Sequence, residues 1–304
     1  MYDIVIVGAG PAGLTAAVYA RRAGKSVLLL DKGAFGGQIT FSPKVENYPA
    51  FESISGSELA DKMVSQVLFQ GADVEVENVI SVRDEGAKKV VVTEEGKEYE
   101  SRAVILACGA RHRHLGLENE EKFIGEGISF CAVCDGAFYQ NKKVALIGGG
   151  NSALQEAVLL SDTARTVTLV QNLDVFTGEA GLLEVLKKKT NVNYITGTTV
   201  CDFESKDGLL TALKLKRTAD GAESTLPVDG AFIAIGLAPD NKAFESLAAL
   251  DEWGYFASGE DCRTATPGVF VAGDARQKRI RQITTATADG AVSALAACDY
   301  IDRL

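Results

Sequence analysis

The sequence predicts an α/β fold of two similar domains, the second inserted in the first and each with an added small antiparallel sheet. Three observations lead there. An apolar strand, a glycine turn, a helix and another apolar strand open the chain, and the same succession begins again at Val144. A third apolar strand, Gly268-Val269-Phe270-Val271-Ala272-Gly273-Asp274, stands too far along to belong to the second copy. It is assigned back to the first domain, which divides the chain into residues 1–113 with 241–304 and residues 114–240. A length of 304 residues suits two domains of ordinary size.

In the first copy, Ile4 to Val7 are apolar, Gly8-Ala9-Gly10-Pro11-Ala12-Gly13 turns, and Leu14 to Ala20 read as helix. Gly24 suits the helix C-terminus, and Val27 to Leu30 form the next buried strand, ending at Asp31, 18 residues after Gly13. This is a glycine fingerprint in a strand–helix–strand context, and each glycine has a physical reason. Gly8 allows the tight turn, Gly10 lets a pyrophosphate approach the backbone, and Gly13 lets helix and strand pack closely. The helix start offers N–H donors to phosphate, and Asp31 can accept from ribose hydroxyls. The domain is therefore Rossmann-like and dinucleotide-binding. Strands with turns at Asp84-Glu85-Gly86 and Glu95-Gly96 follow, closing in Ala103 to Gly109.

The second copy runs from Val144 to Ile147 through Gly148-Gly149-Gly150-Asn151-Ser152-Ala153, then a helix from Leu154 to Leu160 and a strand from Thr166 to Val170. A strand-rich stretch from Asn191 to Leu226 follows, with turns at Asp207-Gly208 and Asp220-Gly221, and Ala231 to Gly236 closes the domain. Gly148, Gly150, Asn151, Ser152 and Ala153 are the residues for a second nucleotide. Gln171 stands 23 residues after Gly148, as Asp31 does after Gly8. An NAD site favours an acid there and an NADP site a nearby Arg. The stretch Gln171-Asn172-Leu173-Asp174-Val175-Phe176-Thr177 has neither feature, so a domain that binds no second nucleotide stays open as an alternative.

Charge argues against nucleic acid: 31 basic against 41 acidic residues leave a net −10. No apolar run approaches the ~18 residues of a membrane span. The chain enters a strand at once with no basic leader, so the cytoplasm is the simplest expected location. Six cysteines in this length do not make a disulfide framework. Cys108, Cys201, Cys262 and Cys298 are scattered, whereas Cys131 and Cys134 flank Ala132-Val133. A metal site would need more ligands, and the two histidines, His112 and His114, complete no pattern, so no metal is expected. Inert core cysteines are a second reading. A redox dithiol fits better, because this spacing puts both sulfurs on one side of a turn and a helix start would favour a thiolate. Asp135 can move a proton during exchange, or it is an ordinary turn acid.

Taken together, these motifs resemble the low-molecular-weight thioredoxin reductase family over the whole chain. Gly36-Gly37-Gln38-Ile39-Thr40 and Val45-Glu46-Asn47-Tyr48-Pro49 look like its flavin-side segments, and Cys131-Ala132-Val133-Cys134-Asp135-Gly136 like its redox box. Gly148 to Ala153 resembles its nicotinamide-domain turn, and Gly273-Asp274 with Arg281-Gln282-Ile283 its C-terminal flavin contacts. The resemblance implies a homodimeric FAD enzyme in which Gly8, Gly10, Pro11, Ala12, Gly13 and Asp31 hold the AMP half. Gln38, Asn47, Gly273, Asp274, Arg281, Gln282 and Ile283 would lie along the flavin half. It further implies that Cys134 faces the flavin, that Cys131 attacks the disulfide of thioredoxin or a similar small protein, and that the domains rotate. Arg111–Leu117 and Ala238–Lys242 would then be the connectors.

The chain departs from the family at one place. NADPH-using members carry His-Arg-Arg and a further Arg where this chain has Gln171, Asn172, Leu173 and Thr177. Each lost charge-assisted contact to the 2′-phosphate is typically worth ~1.5–3 kcal/mol, so efficient use of NADPH is not expected and the role of NAD(P)H is left open. A second reading follows: some relatives take electrons from ferredoxin, and Arg276, Lys278, Arg279 and Arg281 are a basic run on which an acidic carrier could dock, unless they are a solvated loop with one flavin-contacting Arg. Lys187-Lys188-Lys189 reads as helix-end compensation, and the two histidines as decoration of a connector.

Overall fold

The structure, a computed structural model, describes residues 1–33, 35–42 and 45–304. It divides into two compact units, residues 1–111 with 238–304 and residues 112–237.

In chain order the first unit begins with β1 (Tyr2–Val7), α1 (Pro11–Arg22), β2 (Val27–Asp31), α2 (Gly56–Phe69), β3 (Asp73–Val76), β4 (Val79–Glu85), β5 (Lys88–Thr93), β6 (Glu98–Leu106) and β7 (Ala110–His112). The second contains β8 (Ile128–Ser129), α3 (Ala132–Asp135), β9 (Lys143–Ile147), α4 (Asn151–Ser161), β10 (Thr166–Val170), α5 (Ala180–Lys187), β11 (Val192–Ile195), β12 (Thr198–Lys206), β13 (Leu209–Arg217), β14 (Glu223–Pro227) and β15 (Gly230–Ile233). β16 (Leu237–Pro239) pairs with β7, and β17 (Val269–Val271) and α6 (Ile283–Asp302) complete the first unit.

The seven-stranded sheet of the first unit has the order β3-β2-β1-β6-β5-β4, with β17 also pairing β6. The strands β1 and β2 carry continuous apolar runs because both faces are buried, one against α1 and α6 and the other against residues such as Val82, Val91, Phe244 and Phe256. Ile4, Leu29, Ile105 and Phe270 lie with Leu14, Ala16, Ala294 and Ala297 of α1 and α6 in one buried cluster. The register Val269↔Val104, Phe270↔Ile105, Val271↔Leu106 places the late apolar strand in the first sheet. In the second unit five parallel strands run β11-β10-β9-β15-β8, and β12-β13-β14 form a separate antiparallel sheet.

The added antiparallel strands therefore differ between the units. In the first they are not a separate sheet, because the nine residues of β6 serve both ladders: Ser101 to Glu98 pair with β5 and Ala103 to Leu106 with β1. In the second, β15 has only four residues, all paired with β9, and the meander stays apart.

Candidate active site

At one end of the first sheet the chain turns from β1 into α1 through Gly8 (φ +106°), a left-handed conformation that favours glycine. A Cβ on Gly8 would lie 2.3 Å from the Ala107 carbonyl oxygen, and one on Gly13 would lie 1.8 Å from the Gly8 carbonyl oxygen. Gly10 caps α1 without any side-chain hydrogen bond and faces open space, with Pro11 at the first helical position. Asp31 braces this turn: Ala9 N–H donates to its Oδ2 at 2.6 Å and Gly33 N–H to its Oδ1 at 2.9 Å.

The C-terminal segment comes to the same place. Gly273 approaches Ala12 so closely that a Cβ on it would sit 2.7 Å from the Ala12 Cβ, and one on Gly290 of α6 would sit 2.2 Å from the Ala12 carbonyl oxygen. The Gly273 N–H donates to Asp289 Oδ2 at 3.0 Å. Asp274 is held above the usual carboxylate range by burial, against the pull of Lys278 and Arg281, and its Oδ1 is buried with no partner among the described residues. Gln282 caps α6 in a reciprocal capping box with Thr285, and its Oε1 accepts from Asn47 Nδ2 at 3.3 Å. Ile283 packs on the cluster of Ile39, Val45 and Leu59, and Gln38 is exposed. An open approach at Gly10 and a buried carboxylate oxygen without a hydrogen-bond donor fit a phosphate-and-polyol dinucleotide such as FAD.

The basic run does not form an exposed cationic patch. Arg276 is 2% exposed and pairs with Asp289 at 3.1 Å and Glu260 at 3.2 Å, and Lys278 pairs with Asp289 at 2.8 Å. Arg281 stacks on the Tyr255 ring at 4.1 Å and donates to the Asp274 carbonyl. Of the four only Arg279 is exposed. The cations answer the buried carboxylate of Asp289, which sequence reasoning missed; its one signal is a lone acid within the apolar stretch of α6.

The second unit carries the redox pair. Cys131 and Cys134 form a disulfide across the single turn of α3, with Cα atoms 5.3 Å apart. The Cys134 N–H donates to Cys131 Sγ at 3.2 Å, and the Asp135 N–H to the Cys131 carbonyl at 3.0 Å. Ser129 Oγ donates to Asp135 Oδ2 at 2.6 Å, while Oδ1 is buried without a partner among the described residues. Burial raises the Asp135 pKa despite the Ser129 hydrogen bond, which favours a carboxyl that can carry a proton. His112 and His114 both pack on Phe130, the residue before Cys131, and burial together with His114 pushes His112 down to about 4, so it is neutral at pH 7.

The β9–α4 turn repeats the first. A Cβ on Gly148 (φ +137°) would lie 2.4 Å from the Ala234 carbonyl oxygen, Gly150 faces open space, and Ala153 stands where Gly13 does in the first turn. Asn151 and Ser152 are exposed, and Asn151 Oδ1 accepts from the Glu179 N–H at 2.7 Å. The difference is Gln171. It is 6% exposed, its Oε1 accepts from its neighbour Asn172 N–H, and its amide lies over Gly149, 2.3 Å from where a Cβ would be. Asn172, Leu173, Asp174 and Val175 are exposed beyond it and bring no cation.

The sequence profile of the pyridine nucleotide-disulphide oxidoreductase family matches residues 2–290. The chain is 44% identical to a thioredoxin reductase of Listeria innocua, over 100% of this chain and 95% of that one. It is 40% identical to one of Bacillus subtilis, over 100% and 96%. The crystal structure of thioredoxin reductase from Streptococcus pyogenes MGAS5005 superposes with a TM-score of 0.94 at 36% identity, covering 100% of this chain and 99% of that one. A disulfide inside a paired dinucleotide-turn architecture and full-length likeness to these reductases lead to one assignment: the chain belongs to the pyridine nucleotide-disulphide oxidoreductase family.

Proposed function

We propose that this protein is an FAD-dependent disulfide reductase that passes electrons from a donor through the Cys131–Cys134 pair to thioredoxin or a similar small protein. The observation that carries the reading is the Cys131–Cys134 disulfide with the buried Asp135 carboxyl beside it. In this reading Gly8, Gly10, Pro11, Ala12, Gly13 and Asp31 hold the AMP half of FAD. Gln38, Asn47, Gly273, Asp274, Arg281, Gln282 and Ile283 take the flavin half, with Asp274 Oδ1 accepting from a polyol hydroxyl. Bound FAD supplies the two-electron carrier between donor and disulfide.

Reduction opens the Cys131–Cys134 bond, with Cys134 as the electron-receiving sulfur. The Cys131 thiolate then attacks the partner's disulfide, and one partner sulfur leaves as thiolate. Asp135 supplies a proton from its carboxyl, held in place by Ser129. Cys134 next attacks Cys131, which closes the internal disulfide and releases the reduced partner. Gly148, Gly150, Asn151, Ser152 and Ala153 could receive a pyrophosphate, but the buried amide of Gln171 and the cation-free loop after it give a 2′-phosphate nothing to pair with. A homodimer is part of this reading. The cytoplasm is too, since thiols are kept reduced there; no described helix is long and apolar enough to cross a membrane.

The test uses FAD-loaded protein, reduced anaerobically by light so that the natural donor does not matter, then mixed with oxidised thioredoxin. The wild type produces thioredoxin thiols, and Cys131→Ser keeps its flavin but produces none. A Cys131→Ser variant as productive as wild type overturns the reading.

A further inference from the structure

A second buried carboxyl lies against the redox turn, and the reaction as described does not use it. Glu156 projects from α4, and its carboxylate lies toward the backbone N–H of Ala132, which draws its pKa down. That N–H belongs to the peptide joining Ala132 to Cys131. The carboxylate oxygen Oε2 is buried with no partner among the described residues. The place is well fixed. Ala132 is buried in one cluster with Leu154, Ala157 and Leu160 of α4, and a Cβ on Gly136 would meet Leu160 Cδ2 at 3.2 Å.

Hydrogen bonding alone does not explain an acid here. Glutamine would accept the same N–H through its carbonyl oxygen without bringing a charge out of water. What glutamate adds is negative charge at the peptide that follows Cys131. When the disulfide opens, two electrons enter, the S–S bond breaks, and the pair ends as dithiol or as thiol and thiolate according to whether two protons or one are taken up. The thiolate form puts a second negative charge in the same turn, where Asp135 is already a buried acid.

We propose that Glu156 is a positioning residue for the redox pair: set beside the Ala132 peptide with one oxygen buried and unpartnered, its carboxylate opposes the thiolate form of the reduced turn and so makes the Cys131/Cys134 couple more reducing than the two cysteines would be without it. A more reducing couple drives electrons onward to a partner's disulfide. The inference rests on the disulfide-reductase reading for its use, though not for its measurement. Burial pushes the Glu156 pKa up to about 7 against the pull of the Ala132 N–H, with no neighbouring charge contributing among the described residues, so the group is mostly ionised at pH 8.

The experiment is equilibration of the FAD-loaded protein at pH 8 against dithiothreitol in its dithiol and disulfide forms, with the Cys131 and Cys134 thiols alkylated and counted. Glu156→Gln keeps the N–H acceptor and removes the charge, and Glu156→Met keeps the length and is the second variant. Each is expected to move the equilibrium toward the dithiol by about 3- to 10-fold, the tenfold limit being ~30 mV for a two-electron couple. Glu156→Asp, which keeps a carboxylate, is expected to stay closer to wild type. If either neutral variant that folds, judged by its melting transition and bound flavin, lies within twofold of wild type, the inference is overturned. A wild type that equilibrates with dithiothreitol but never reduces thioredoxin would overturn the functional reading instead.

Discussion

Ser129 Oγ donates to Asp135 Oδ2 at 2.6 Å and leaves Oδ1 of the same carboxyl buried and without a partner among the described residues, beside the Cys131–Cys134 disulfide. In the proposed reaction this carboxyl, with one oxygen tied and the other unpartnered, hands over a proton. Asp135→Asn cannot carry that proton, and is expected to slow thioredoxin reduction on the order of 100-fold while the disulfide still forms. Rapid-mixing measurement of thioredoxin thiols checks this, and a wild-type rate in Asp135→Asn would count against the proton role. Because burial raises the Asp135 pKa, the wild-type rate is expected to hold at low pH and to fall as pH rises through that raised value.

Glycines 10 and 13 separate binding from folding. Gly13→Ala drives a Cβ to within 1.8 Å of the Gly8 carbonyl oxygen, so backbone must move; a loss of about 1–3 kcal/mol or more in denaturant unfolding is expected. Gly10 has φ −74° and open space around it, so Gly10→Ala leaves the apoprotein within ~1 kcal/mol of wild type. If phosphate approaches there, the same methyl group weakens FAD binding by about tenfold or more, which flavin titration of the apoprotein reads. Equal FAD affinity in Gly10→Ala would remove the phosphate from that turn.

Asp289 ties Arg276, Lys278 and the Gly273 N–H into one buried cluster. Burial penalises its charge, yet the hydrogen bonds from Arg276 and Lys278 outweigh this and lower its pKa. Asp289→Ala leaves Lys278 without its carboxylate and Arg276 with only the exposed Glu260, and is expected to cost about 3–5 kcal/mol. The sign for pH follows from the lowered pKa: the stabilisation is present above the unfolded value and is lost as pH falls through the folded one. A denaturation series that shows less than ~1 kcal/mol for Asp289→Ala would mean that the cluster relaxes.

Glu156 has the opposite sign. Its pKa of about 7 exceeds the ordinary 4.5, so its favourable contribution is complete below 4.5 and is lost as pH rises through about 7. Wild type is expected to lose stability relative to Glu156→Gln across that window, on the order of a few kcal/mol at most. Parallel melting curves for the two proteins from pH 4.5 to 8 would contradict this.

The loop after β10 offers a test of donor choice. Gln171 packs over Gly149 with its amide bonded to the Val175 carbonyl and the Asn172 N–H, whereas Asn172 and Leu173 are exposed, so under the proposed function cations introduced at those two positions would face a ligand phosphate. Micromolar NADPH is expected to bleach the bound flavin slowly, and the double variant Asn172→Arg with Leu173→Arg to raise kcat/KM for NADPH by about tenfold or more. Rapid anaerobic bleaching of wild type by NADPH would show that the missing cations do not matter.

Much of this was legible in the sequence because it is local. Apolar runs such as Ile4 to Val7 and Val144 to Ile147 announce buried parallel strands, and Gly8 and Gly148 sit where only a left-handed turn fits. The redox pair is legible from its spacing. What joins residues far apart in the chain was not. The hydrogen bond from Asn47 to Gln282 spans 235 positions, and nothing in either neighbourhood announces it. Arg276 and Lys278 read as a solvated basic run because the carboxylate that buries them lies on another element. Nothing in the sequence singles out Glu156, since the burial of its Oε2 depends on how α4 packs on α3.

The most direct test of the central claim is thiol mapping before and after two-electron reduction of the FAD-loaded protein under anaerobic conditions, by alkylation and mass spectrometry. Cys131 and Cys134 are expected to be protected in the oxidised protein and both alkylated after reduction, with Cys108, Cys201, Cys262 and Cys298 unchanged between the two states. A pair that is already alkylated before reduction, or that stays protected once the flavin has been reduced and reoxidised, would contradict the assignment of this disulfide as the redox centre.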